Sequence, residues 1–144
     1  MPRKFPPLEF HWIRKHGEMT GREIFFVFEK NLTMCDVNQS PSRVILNEEE
    51  MNTNLIPAMT GREVLLMNRL RKGLPVVAID LRGQQYEVVI KWCSSINEYV
   101  LKGNWNDIVQ NYVLEEGDSI RMYFFRRGDN DLCLIIEGVK RDGE

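Results

Sequence analysis

Two short segments carry the side chains best suited to hydrogen-bonding a ligand. Thr33–Arg43 holds Asn38, Gln39, Ser40, Ser42 and Arg43, and Cys93–Glu98 holds Ser94, Ser95 and Asn97. Amides, hydroxyls and a guanidinium can match the donor and acceptor pattern of base edges, while flanking cations can meet phosphate oxygens. Charge limits that chemistry. Arg43 and Asp36 cancel in the first segment, and Lys91 and Lys102 against Glu98 leave +1 around the second. So few cations predict weak attraction to a polyanion and a modest dependence on salt. By residue type alone, both segments also read as ordinary turns, polar because they are exposed.

A denser cationic run lies between them. Arg62, Arg69, Arg71 and Lys72 against Glu63 give +3 over eleven residues. It is read as the solvated face of a helix, in preference to a phosphate contact or a weak nuclear-import patch. Other motifs do not hold. Arg127–Gly128–Asp129 falls in the turn between the last two strands, and His11 and His16 alone do not make a zinc site. Asp80, Glu87 and Lys91 have the wrong spacing along one strand to share a metal face. No phosphate-cradling glycine loop and no Ser/His/acid set is present, so the sequence implies no enzyme, metal or cofactor.

The elements that must position the two segments follow from periodicity. Ile24–Glu29, Arg43–Leu46, Leu74–Leu81 and Gln85–Trp92 read as strands, the last two joined by a hairpin turn at Arg82–Gln84. Ile24, Phe26 and Phe28 should share one face of the first strand. Trp105, Ile108, Val109 and Tyr112 recur at helical spacing behind Asn104, which can cap the helix. Asn47 opens a helix that stops before Pro57, and Glu63–Lys72 has a helical pattern ended by Gly73. Ile120, Met122 and Phe124 alternate with Arg121, Tyr123 and Phe125, a half-buried strand. The repeated Thr-Gly-Arg-Glu at Thr20–Glu23 and Thr60–Glu63 is read as coincidence. About seven strands with two or three short helices suit a small open barrel, a mainly β fold.

Composition agrees with a single domain. The chain has 144 residues, 43% hydrophobic and 28% charged, with a net charge of −2. No apolar run approaches a membrane span, and the start MPRKFPPLEFHW lacks the apolar stretch of a secretory signal. Cys35, Cys93 and Cys133 are odd in number and scattered, which fits a reducing compartment and free thiols used as small packing residues. Leu8, Phe10, Trp12 and Ile13 make residues 1–23 an extension too apolar for a purely solvated tail, expected to pack partly on the domain. Residues 24–139 form the domain and 140–144 a tail.

The order of residues in the second half carries a resemblance. Trp92, Ser94–Ser95, Tyr99–Leu101, Trp105, Val109, Leu114, Gly117–Asp118 and Phe125–Arg126 resemble a plant B3-type DNA-binding domain, in its variant with Lys-Trp before the loop and Leu-Cys in the last strand. Phe28, Lys30, Leu32–Thr33, Asp36–Val37, Arg43 and Leu46 extend the likeness upstream. Asn38–Gln39 departs from that family's usual small residue and lysine. The resemblance implies a seven-stranded open β-pseudobarrel in a plant nuclear protein that regulates transcription. It implies sequence-specific double-stranded DNA as the partner, with two loops entering the major groove. Carried over by position, Asn38, Gln39, Ser40, Ser42 and Arg43 serve the first arm, and Ser94, Ser95 and Asn97 the second. Lys30, Lys91, Lys102 and Asn104 flank them as backbone contacts. Trp92, Tyr99, Trp105, Val109, Phe124 and Leu134 are the expected core. The alternative is a protein-interaction module on the same scaffold with weak or lost DNA binding, using the N-terminal segment or Arg62–Lys72. A contiguous positive face around both arms would separate the two.

Overall fold

Apolar residues spaced two apart give each strand an inward face, and seven such faces close around one core. The computed structural model describes residues 24–38, 40–69, 71–128 and 130–141. The expected packing of residues 1–23 lies outside the described residues, as do Gln39 and tail residues 142–144. The strands are β1 (Phe25–Asn31), β2 (Val44–Leu46), β3 (Leu74–Ile79), β4 (Gln85–Cys93), β5 (Glu98–Gly103), β6 (Ser119–Arg126) and β7 (Leu132–Val139). They form one sheet in the order β1-β6-β7-β3-β4-β5-β2. Every pairing is antiparallel except that of β3 with β7. This is the mainly β, seven-stranded curled half-barrel that the sequence predicts.

The α-helices number four among the described residues, where two or three were expected: α1 (Met34–Val37), α2 (Glu48–Glu50), α3 (Gly61–Arg69) and α4 (Trp105–Tyr112). The Asn47 side chain accepts from Glu50 N–H, as a cap should. Beyond α2 the chain does not stop before Pro57. It runs on through a π turn at Met51–Leu55 and a 3-10 turn at Ile56–Ala58, where Pro57 sits early in the turn and its missing N–H goes unneeded.

Strand β1 departs from simple alternation. A bulge between Phe26 and Phe28 shifts its register against β6, so Phe26, Val27 and Phe28 are all buried. Val27 and Phe28 join the main core, while Phe26 turns to the opposite face. There it meets Ile79, Tyr123, Phe125, Cys133 and Ile135, a second buried cluster. Strand β6 is therefore buried on both faces at Tyr123 and Phe125, not half-buried as its alternation suggested.

Helix α4 buries Trp105, Ile108 and Val109, and Trp105 is fully inaccessible. Asn104 stands at the cap position, but its side chain makes no capping bond. Of the expected core, Tyr99, Trp105, Val109, Phe124 and Leu134 are buried. Trp92 is half-buried, packing edge-on against Tyr99 at 4.9 Å between ring centroids.

Side chains tie edge strand β1 to β2 and to the π turn that follows α2. Lys30 Nζ donates to the Ile45 carbonyl, and Asn54 Nδ2 donates to the Val27 carbonyl at 2.7 Å. At the other end, the buried Asp118 carboxylate accepts from Lys140 Nζ at 2.7 Å, Arg141 N–H at 2.9 Å and Glu115 N–H at 2.8 Å. Two residues assigned to the tail are thus tied to the turn before β6.

Candidate functional site

The first polar segment is built on a short helix that its own residues cap. Thr33 N–H donates to Asp36 Oδ2 at 2.9 Å, and Asp36 N–H donates back to Thr33 Oγ1 at 3.3 Å. That reciprocal pair starts α1 inside what reads as a loop. Asp36 is fully buried and acts as a hub. Its carboxylate also accepts from Ile45 N–H at 3.2 Å and lies 3.0 Å from Lys30 Nζ. Its carbonyl accepts from the Trp105 indole N–H at 2.7 Å. The segment is thereby fastened to β1, β2 and α4 before it projects.

Beyond α1 the chain turns through a cis Ser40–Pro41 bond, with Asn38 and Ser40 exposed and Ser42 and Arg43 half-buried. Ser42 Oγ is buried without a hydrogen-bond partner among the described residues.

The second segment is the β4–β5 turn. Ile96 and Asn97 N–H both donate to the Cys93 carbonyl, at 3.3 and 2.8 Å. Asn97 takes φ 61°, a left-handed conformation that Asn tolerates better than most residues. Ser94, Ser95 and Asn97 are exposed.

The two segments meet. Arg43 Nη1 approaches Cys93 Sγ at 3.9 Å, and Ser95 Oγ lies 3.3 Å from the same sulfur. A cavity of about 250 Å³ between them is lined by Asn38, Pro41 and Arg43 from one side and Ile96 and Glu98 from the other. The Ser95 hydroxyl lowers the Cys93 thiol pKa against the effect of burial, with help from the Ile96 N–H and the Arg43 charge. Cys35 lines the cavity as well. Only Cys133 is buried; Cys35 is exposed and Cys93 half-buried, so those two are not packing residues as the sequence suggested. All three are free thiols.

The flanking cations divide. Lys91, on β4 beside the turn, donates from Nζ to the Arg71 carbonyl at 2.8 Å. Lys30 faces inward, its ammonium spent on Asp36 and Ile45. Lys102 pairs with Val89, four positions along β5 from Glu98, roughly 13 Å from the turn at strand spacing. Asn104 lies farther still, its N–H bonded to the Glu87 carbonyl. Lys102 and Asn104 are therefore not brought to the turn that holds Ser94 and Ser95.

The sequence placed the cationic run apart from both segments. Folding brings its end alongside the second. A groove of about 500 Å³ runs between the end of α3 and the β4–β5 turn, lined by Arg69, Arg71, Lys91, Trp92, Ser94 and Ser95. No local pattern gives that adjacency, which depends on α3 packing over β4. The α1 helix did have a signal, the Thr33-x-x-Asp36 spacing of a capping pair.

The family model for B3 domain-containing protein At2g31720-like matches residues 9–138. B3 domain-containing protein At1g32030 of Arabidopsis thaliana is 30% identical over 130 residues, covering 83% of this chain and 39% of that protein. B3 domain-containing protein At3g25182, from the same plant, is 27% identical over 81% of this chain and 36% of its own length. The chain thus spans under two fifths of the length of these curated relatives. Among solved structures, the Arabidopsis FUS3-DNA complex matches with a TM-score of 0.59 at 23% identity, covering 81% of this chain and 99% of that one. The Arabidopsis thaliana transcription factor LEC2-DNA complex matches with a TM-score of 0.60 at 21% identity, covering 85% and 99%. These two likenesses establish the fold.

Proposed function

We propose, from the premise that this chain belongs to the At2g31720-like family of B3 domain-containing proteins, that it binds double-stranded DNA in a sequence-specific way and regulates transcription in the nucleus. The observation that carries this reading is the meeting of Arg43 with Cys93 at 3.9 Å, which sets two segments rich in amides and hydroxyls side by side. The two solved structures that share this fold are complexes with DNA, which favours the same partner for this scaffold. In this reading both arms enter the major groove, a channel about 12 Å wide whose base edges offer distinct donor and acceptor patterns. Asn38, Gln39, Ser40, Ser42 and Arg43 would supply the first arm's contacts, and Ser94, Ser95 and Asn97 the second's. Lys91 would flank them at the phosphates. Lys30 drops out because its charge is neutralised inside the fold. Lys102 and Asn104 drop out because they stand away from the turn.

Selection of binders from random duplexes, followed by salt-controlled titration of the enriched sequence and a scrambled one, tests this directly. Enrichment of one sequence with discrimination retained at raised salt supports it. Failure to retain any duplex at low salt sinks it and leaves the protein-interaction module as the better account.

A further inference from the structure

The end of α3 does not face open solvent alone, as a charge run on a helix would by default. Lys91 Nζ is bonded to the Arg71 carbonyl at 2.8 Å, which pins the chain after α3 to strand β4 just before the second arm. Gly73, with φ 78°, lets the backbone lie so close there that a Cβ would stand 2.6 Å from Lys91 Cβ. Arg69 and Arg71 are consequently fixed along one wall of the groove whose other wall carries Ser94 and Ser95. Both arginines are exposed, and neither guanidinium is held by a hydrogen bond or ion pair among the described residues. An ammonium has three donors, so Lys91 keeps capacity for a ligand beside its bond to Arg71.

Resting on the DNA-binding reading above, we infer that this groove is a third contact, in which Arg69, Arg71 and Lys91 grip the phosphate backbone of the strand flanking the second arm. The chemistry suits a phosphodiester chain. Guanidiniums offer forked donors to phosphate oxygens, an ammonium adds a point charge, and the serine hydroxyls are short neutral donors. No carboxylate lines the groove to oppose an anion. The contact supplies the cations that the two arms lack. It adds affinity to every sequence equally, because phosphates carry no base identity.

Arg62 provides an internal control. It stands near the start of the same helix, about 10 Å from Arg69 at 1.5 Å per residue, and lines a different groove with Thr60 and Pro75. The experiment titrates a labelled duplex enriched from the random pool, and its scrambled counterpart, from 50 to 200 mM salt. The proteins are wild type, Arg69→Gln/Arg71→Gln and Arg62→Gln, each checked for an unchanged thermal melt. Each lost phosphate contact should flatten the logarithmic salt slope by about 0.9, so the double variant should lose about 1.8. Across that salt range wild-type affinity would then fall roughly 12-fold more than the variant's. The ratio of enriched to scrambled affinity should stay unchanged, as should the slope of Arg62→Gln. If wild type binds and the double variant keeps its slope, the groove is not a contact although the two-arm reading survives. Equal flattening by Arg62→Gln would likewise overturn it, by showing that only overall charge matters. No duplex binding by wild type would remove the reading and this inference together.

Discussion

The indole N–H of Trp105 donates to the Asp36 carbonyl at 2.7 Å, joining the first turn of α4 to the helix inside the first arm across 69 residues of sequence. A single side chain thus serves both the core and the arm. Its ring is fully buried, and its one polar atom is the anchor that helps hold α1 in place.

Two substitutions separate those roles. Trp105→Ala should cost about 3–5 kcal/mol, as large aromatic deletions in cores do. Trp105→Phe should cost less, yet leave the Asp36 carbonyl one donor short. Hydrogen exchange should then speed up at α1 relative to wild type while β4 and β5 stay protected. A thermal melt for Trp105→Ala within a couple of degrees of wild type would place the residue outside the core.

Lys30 should behave as a scaffold cation. It is the cation closest to the buried Asp36 carboxylate, 3.0 Å away, and it also bonds to β2. Lys30→Met strands a buried negative charge, and losses of about 3–5 kcal/mol accompany such a change. The double variant Lys30→Met/Asp36→Asn should recover part of that loss in a denaturant titration. No recovery would mean that the ion pair is not what makes Lys30 necessary.

Arg43 is the only base in the first arm, and it stands where the arms meet. Arg43→Glu should remove detectable duplex binding at moderate salt. Glu98→Lys removes the acid from the wall of the shared cavity and should strengthen binding without improving discrimination, since a phosphate contact acts on every sequence. Both effects are read in the same titration of enriched and scrambled duplexes. An Arg43→Glu variant that binds like wild type would break the two-arm account.

Acid should loosen the C-terminal tie. Burial alone would raise the pKa of Asp118, but hydrogen bonds from Lys140 Nζ and from the Arg141 and Glu115 N–H groups outweigh it, bringing the value down to about 2 from an ordinary 3.8. A carboxyl depressed in the folded state stabilises it at pH above the ordinary value. That contribution fades as pH falls from about 4 through about 2. The difference corresponds to about 2 kcal/mol at neutral pH. Asp118→Asn should therefore melt lower than wild type at pH 7, and the two melts should converge as pH drops toward 2. A gap independent of pH would assign the effect to packing.

Much of the frame was legible because it is local. The 3.6-residue spacing of Trp105, Ile108 and Val109 gives α4 directly, and the alternation of Tyr86, Val88 and Ile90 gives the buried face of β4. Alternation misled at β1, where one bulge puts Phe28 on the face opposite Phe26 instead of the same one. It misled at β6 too, because periodicity records that Tyr123 and Phe125 share a face but not that the face is covered. Within the site, the polar arms were legible from composition. The separation of Lys102 from Lys91 was not, because both flank the turn in sequence while the hairpin register carries one of them away. The nearness of Arg71 to Lys91 is a tertiary fact between residues twenty apart, and no window of sequence contains it.

The sheet order sets the timetable of folding. Among the described residues β1 pairs only with β6, and β3 is joined to β6 only through β7, so the β6-β7 hairpin closes the gap between the halves that precede it in sequence. During synthesis β1 emerges well before its described strand partner β6, while β2, β3, β4 and β5 have all their mutual pairings available once β5 is made. An incomplete chain therefore carries a bare strand edge at each side of the missing hairpin, the kind of surface that recruits stray strands. The first arm hangs between β1 and β2, and β1 meets its strand partner β6 only when that hairpin forms, so the arm's mounting on the β1 side is completed late.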